Sequence, residues 1–363
     1  MSDNQSHDQE AGAFEFDGSW QEFAPIAFTN LLLTIVTLGI YRFWATARTR
    51  RYLWSRTRFI DDRLEWAGTG MELFKGALMA LLCIFLPIAL LNMTAQRLVL
   101  NGHKAMGGVL FLVMLIAIYF LVGVARFRAL RYRLSRSYWR GIRGGSDDSG
   151  VNYGLSYLWK NFVGSFALGL LIPWSMVTLW NERWEKMSFG PYRFAANGQV
   201  QGLMKRFLLC YLAPFLGMAG LLVMMIPVFV AGGLKSGHSN PNGMAFFFSF
   251  FGVLAFYIIF GFVVMAYYAK FYRQMIAQTS LHTLSFGFSA KAMDWIKLFL
   301  GDFGLVIITL GIGTIFIPYR HWKFQVSHMQ AYGEIDVDDL TASTTADVTQ
   351  GEGLLDAFDM GAL

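Results

Sequence analysis

Arginine carries the most conspicuous chemistry in this sequence. It gathers at helix-compatible spacing as Arg48, Arg50 and Arg51, then as Arg126, Arg128, Arg131 and Arg133. Arg183, Arg273 beside Lys270, and Arg320 beside Lys323 continue the series. Tyr52, Tyr132, Trp184, Tyr272 and Trp322 interleave with these cations. One reading is a surface for anionic lipid headgroups or a phosphate-bearing ligand, since a basic residue near an anionic leaflet contributes ~1 kcal/mol. The other is a set of topology determinants with an aromatic belt, for which the same residue types serve.

Three polar residues sit in otherwise apolar runs. Asp302 lies near the start of one, where an acid is either a functional group at membrane depth or a helix N-cap at the interface. Asn30 and Asn161 head two similar runs, where they either polarise a shared cavity or hydrogen-bond between helices. The histidines show no metal-ligand spacing: His321 and His328 are seven apart with no acidic or cysteine partner. No phosphate-binding glycine loop, nucleophile elbow or zinc-helix motif is present, so neither a catalytic residue nor a metal or other cofactor is expected. Asp61 and Asp62 fit a turn. Cys83 and Cys210 fit membrane packing.

The elements that must position these residues are membrane helices. Only 15% of the 363 residues are charged and 55% are hydrophobic, outside the soluble range. Windows 76–96, 105–125, 207–234 and 244–269 are uncharged and reach the ~20 residues a bilayer span needs. The formal charge of +6 therefore reads as cytoplasmic bias, and nucleic acid is not an expected partner. The polar first residues show no cleavable signal peptide, so internal helices are expected to direct insertion.

Two patterns recur along the chain. Short alternating segments at 14–18, 63–68, 192–198 and 284–289, with a degraded copy at 142–145, read as strands handing over to helices. Ser19 to Glu22 and Thr69 to Glu72 are capping boxes at two of those hand-overs. Apolar runs broken by Leu38-Gly39, Leu168-Gly169 and Leu310-Gly311 form the second pattern. These divide the chain into an acidic disordered tail (1–13), tandem repeats at 14–146 and 147–290, a partial third at 291–333, and a second tail (334–363). The fold expected is an all-α, multi-pass helical bundle with three glycine-broken re-entrant or interfacial helices and short cytoplasmic β-hairpin pieces.

Charge decides between topologies. If the broken runs turn back, four crossings leave 27 of the 30 lysines and arginines on one side; seven simple crossings leave 19. The orientation rule favours four crossings with both termini cytoplasmic.

The run TLGIYRFWATARTRRY, followed by TRF…RLEWAGTGMELFKG, resembles the signature of the YjgN-like bacterial inner-membrane proteins, a family catalogued as a domain of unknown function. The resemblance covers roughly 14–333 and implies a multi-pass protein of the bacterial inner membrane; it brings no reaction, substrate or catalytic residue. The expected function is non-enzymatic. Broken helices around a small polar cavity suggest a transporter or channel. The alternative is a lipid-organising scaffold with a basic cytoplasmic face. Anionic lipids are the expected partners, the solute is unspecified, and a homo-oligomer is compatible with the sequence.

Overall fold

The computed structural model describes residues 13–166, 168–233, 243–333, 341–343 and 345. The expected disordered tails, 1–13 and 334–363, lie outside the described residues except Ala13, 341–343 and Thr345. Leu234, the last residue of the span expected at 207–234, also lies outside them.

The chain is not an all-α bundle. Its strand segments join into one ten-stranded antiparallel sheet in sequential order. The strands are β1 (Phe14–Phe16), β2 (Thr57–Phe59), β3 (Asp62–Trp66), β4 (Ser137–Trp139), β5 (Ile142–Gly145), β6 (Ser188–Phe189), β7 (Tyr192–Ala196), β8 (Thr279–Leu281), β9 (Leu284–Phe288) and β10 (Met329–Tyr332). Four connections are tight turns whose first residue, Ile60, Arg140, Gly190 or His282, has φ between 52° and 57°. The other five connections are helix pairs. They are α1 (Trp20–Val36) with α2 (Arg42–Ser55), then α3 (Gly70–Ala80) and α4 (Leu86–Leu100) with α5 (Lys104–Arg136). After them come α6 (Val151–Phe166) with α7 (Ile172–Glu185), α8 (Met204–Gly233) with α9 (Gly243–Ala277), and α10 (Ala292–Ile308) with α11 (Ile317–His328). Strands this short cannot hold as isolated ribbons, so the helices that deliver them must fix their positions.

Sequence reading missed the sheet for a physical reason. Each strand contributes two to five residues, and β3 pairs with β4 through Leu64↔Trp139 and Trp66↔Ser137, across two long helices. No local periodicity announces a ladder closed over such a distance.

Three helix pairs are short and turn back at Leu38-Gly39, Leu168-Gly169 and Leu310-Gly311. In each pair both residues have positive φ: 50° and 91°, 53° and 81°, 51° and 94°. Glycine takes that conformation without strain; leucine does so only where the turn compels it. The three leucines are 94%, 77% and 93% exposed, so each tip presents bare apolar surface. Antiparallel packing follows from the contacts: Phe23 lies against Tyr52 at 5.4 Å and Trp295 against Phe324 at 4.8 Å. The other two pairs are long. Gly70–Leu100 is continuous through a π turn at Leu81–Phe85, just before Pro87. That helix, Lys104–Arg136 and Phe250–Ala277 are, among the described residues, long and apolar enough to cross a membrane. The 30-residue α8 pairs with α9.

The inner face of the sheet is filled. Phe59, Trp139, Leu284 and Ala331 are buried in one cluster with Phe14, Leu64, Ile142, Phe189, Tyr192 and Phe286, which together come from nine strands. Side chains from so many strands meet only if the sheet curls nearly into a ring. β1 and β10 lie against each other at the gap, with no paired register between them among the described residues. Outside, Glu15 and Arg58, and Asp17 and Arg63, form ion pairs.

Candidate functional site: a polar cavity at the ring seam

The seam is closed by aromatic residues where a ladder is lacking. The Trp322 indole stacks on Trp54 with centroids 4.0 Å apart, and its Nε1 donates to Thr57 Oγ1 at 2.8 Å. Tyr319 donates to the Gly18 carbonyl at 2.9 Å. Two other junctions use the same device: Trp54 Nε1 donates to Ser137 Oγ at 2.8 Å, and Trp180 Nε1 to Thr279 Oγ1 at 3.2 Å. The signal that sequence reading passed over is a serine or threonine opening the strand that accepts each indole N–H.

Above the seam a cavity of about 670 Å³ opens between the α1–α2 hairpin and α11, with Arg133 of α5 on its wall. Arg42, Arg50 and His321 supply further polar groups; Leu31, Ile315 and Trp54 supply apolar wall. No aspartate or glutamate is among the described residues lining it. A neighbouring apolar pocket of about 230 Å³ shares Trp322 and Gln325 with it and extends toward Tyr272 and Trp295.

Asn30 faces this cavity. Its Nδ2 donates to the Ala45 carbonyl and to Thr49 Oγ1, both at 3.3 Å, which ties α1 to α2. Its Oδ1 is buried with no hydrogen-bond partner among the described residues. Buried carbonyl oxygens are rarely left so, and the orphan points to a missing donor. Asp302 is buried in the second half of α10, away from any N-cap. It accepts from Arg320 Nε at 2.6 Å and lies 2.6 Å from His321 Nε2, so the cavity histidine is held by a carboxylate. Asn161 is elsewhere, on α6, donating to the Tyr157 carbonyl of its own helix at 2.7 Å.

The ten arginines do not form one surface. Arg48 and Arg51 are exposed, whereas Arg50 is buried with its guanidinium 5.0 Å from the Trp66 ring. Arg128 and Arg131 donate to the Ser149 and Asp148 carbonyls, holding the loop before α6. Arg126 is exposed and lies over Tyr157 at 5.3 Å. Arg273 is half-buried on α9, and Arg320 is taken by Asp302. Arg183 is buried over Trp180 at 5.5 Å. Burial lowers the Arg183 guanidinium from its usual value, though an arginine stays charged.

Other charged groups are structural. Glu72 completes the Thr69 capping box and also accepts from Arg136 at 3.0 Å and Tyr132 at 3.1 Å. Burial, then the Glu22 charge, pushes the Tyr52 hydroxyl up to about 12. Burial acts to raise the Asp148 carboxyl, but hydrogen bonds from Lys186 and the Gly150 N–H hold it below its usual range. Among the described residues, no three histidine, cysteine or acidic side chains converge to hold a metal.

Comparison with known proteins fits this mixed picture. Two relatives, the inner membrane protein YjgN of Escherichia coli O157:H7 and that of strain K12, are each 24% identical over 245 residues, 58% of this chain and 59% of theirs. YjgN of Salmonella typhimurium is 26% identical over 143 residues, 39% of this chain and 32% of that protein. The chain thus spans less than two thirds of the length of these relatives. No solved structure matches. A family described as bacterial protein of unknown function, DUF898, matches residues 11–357, nearly the whole sequence, and the chain belongs to that family.

Proposed function

We propose that this chain is a multi-pass protein of the bacterial inner membrane that binds a small solute in the seam cavity and works in the manner of a transporter. The inner-membrane placement is supported by the names of its relatives and by three long apolar helices. The charge distribution supports a cytoplasmic strand ring, because the basic residues crowd the ring end of the helices. The short hairpins reach only the first apolar turns of the long ones: Trp44 meets Phe74 at 5.6 Å, and a Cβ on Gly169 would lie 3.9 Å from Tyr211. Their bare tips would then rest just inside the lipid boundary. In this reading the five strand–hairpin–strand units are copies of one internal repeat.

The observation that carries the solute reading is the cavity with Asn30 on its wall, a residue whose side-chain oxygen is buried without a hydrogen-bond partner among the described residues. The apolar side chains that crowd the ring interior speak against an open aqueous channel along the ring axis. The test is metabolite accumulation in vesicles containing the protein, compared with vesicles carrying Asn30→Leu. A solute enriched with the native chain and lost in the variant supports the proposal. Equal metabolite profiles in native, variant and empty vesicles would reject it and return weight to the scaffold reading.

A further inference from the structure

The junction of α5, α6 and α7 buries a cation that has no ion-pair partner among the described residues. Arg183, near the end of α7, is 7% exposed, and its Nε is buried with no hydrogen-bond partner among the described residues. One face of its guanidinium is covered by Trp180. The titratable groups that act on it most strongly are Tyr153 on α6, Tyr272 on α9, and Arg126 and Arg133 on α5. The tyrosines are neutral near pH 7 and the arginines repel it. Glu182, the adjacent acid, is engaged by Lys160 at 2.7 Å. Arginine cannot escape by losing its proton. A buried cation without a counter-charge is strongly unfavourable, so a fold that keeps one has something to pair it with.

The approach to this cation is also cationic. Arg126 is exposed and directly follows the uncharged run 105–125 of α5, which places it at the lipid–water boundary in the embedding proposed above. An exposed arginine over Tyr157 and a buried one covered by Trp180 thus lie close enough to act on each other. Guanidinium forks match phosphate oxygens through paired N–H donors, more closely than an ammonium does.

We propose that Arg126 and Arg183 together form an anion site that takes a phosphate group, either the headgroup of an anionic phospholipid or free phosphate. It rests on the membrane placement of α5 and not on the seam cavity. The loss of solute accumulation in Asn30→Leu leaves it untouched.

Two measurements on the full chain test it. In the first, protein in discs of phosphatidylcholine with added phosphatidylglycerol is released and weighed by native mass spectrometry. In the second, inorganic phosphate is titrated into detergent-solubilised protein while the thermal midpoint is followed. The native chain should retain phosphatidylglycerol or be stabilised by phosphate. Arg183→Gln should weaken whichever occurs by on the order of tenfold or more, as loss of a charge-assisted bond implies. Arg183→Lys, which keeps charge but not the fork, should fall between. Arg126→Gln, altered at the exposed arginine, keeps the test readable if Arg183→Gln does not fold, and Arg48→Gln should match the native chain. Retention of lipid alone assigns the headgroup; stabilisation by phosphate alone assigns the free ion. The proposal is overturned if the native chain shows neither effect, or if the Arg183 and Arg126 variants behave as the native chain does.

Discussion

The ring seam and the α5–α6 junction solve the same packing problem in opposite ways. At the seam, first and last units meet by large aromatic side chains, Trp322 on Trp54 and Tyr319 beside Phe16, and a cavity remains above them. At the α5–α6 junction glycines remove side chains altogether. A Cβ on Gly123 would lie 2.6 Å from Tyr157 Cβ and 3.0 Å from the Gly154 backbone. Backbones that approach so closely at Gly123 leave no room there for a side chain, whereas stacked rings bridge a gap they cannot fill. The large cavity therefore opens where closure relies on aromatics.

The strongest way to break this contrast is to remove the aromatic bridge. Trp322→Ala deletes a stack and a hydrogen bond together and should cost about 3 kcal/mol, near the lower end for such truncations because the side chain is only half-buried. Thermal unfolding in detergent reads the loss; an unchanged midpoint means the seam does not depend on Trp322. Gly123→Leu attacks the other side and should cost about 2 kcal/mol by overpacking, seen as a lower midpoint and reduced abundance. Tolerance of leucine there would mean the close approach of α5 and α6 is not required.

Smaller changes sharpen the comparison. Asp302→Asn keeps the shape but removes the charge that Arg320 and His321 share. Both partners are about one-third exposed, so the expected cost is about 1–2 kcal/mol, less than for a fully buried pair. Lowered stability without loss of the hairpin's helical signal is the expected result. The smallest effect concerns Asp148. Its carboxyl is held below the ordinary value of 3.8, so its contribution is complete above that pH and fades as pH falls through the lower folded value. Asp148→Asn should therefore flatten the acid limb of the stability curve by lowering stability slightly near neutrality and leaving it unchanged at the acid end.

Local chemistry was legible in the sequence and global pairing was not. The Thr69–Glu72 box is present in both directions, and at Ser19 the side chain accepts from the Glu22 N–H. The segments at 14–18, 63–68, 192–198 and 284–289 each hold a strand, which ends one or two residues before the segment does. Leu-Gly at 38, 168 and 310 marks three sharp reversals, because glycine at positive φ is a backbone requirement that shows in composition. By contrast Ser137–Trp139, Ser188–Phe189 and Thr279–Leu281 are too short to carry a pattern, and their partners lie across whole helix pairs. Asn30 and Asp302 were visible as polar residues in apolar runs, but nothing in their spacing showed that both belong to the seam while Asn161 does not. The arginines misled by number: charge counts do not distinguish exposed Arg48 from buried Arg183.

The central claim is that the first and last units meet, so that the strands form a nearly closed ring. Photo-crosslinking in native membranes tests it directly, with a benzophenone amino acid in place of Tyr319 and the products mapped by mass spectrometry. The account predicts crosslinks to the segment from Phe16 to Phe23, roughly three hundred residues earlier in the chain. Crosslinks confined to α10 and its neighbours, with none to that segment, would contradict it.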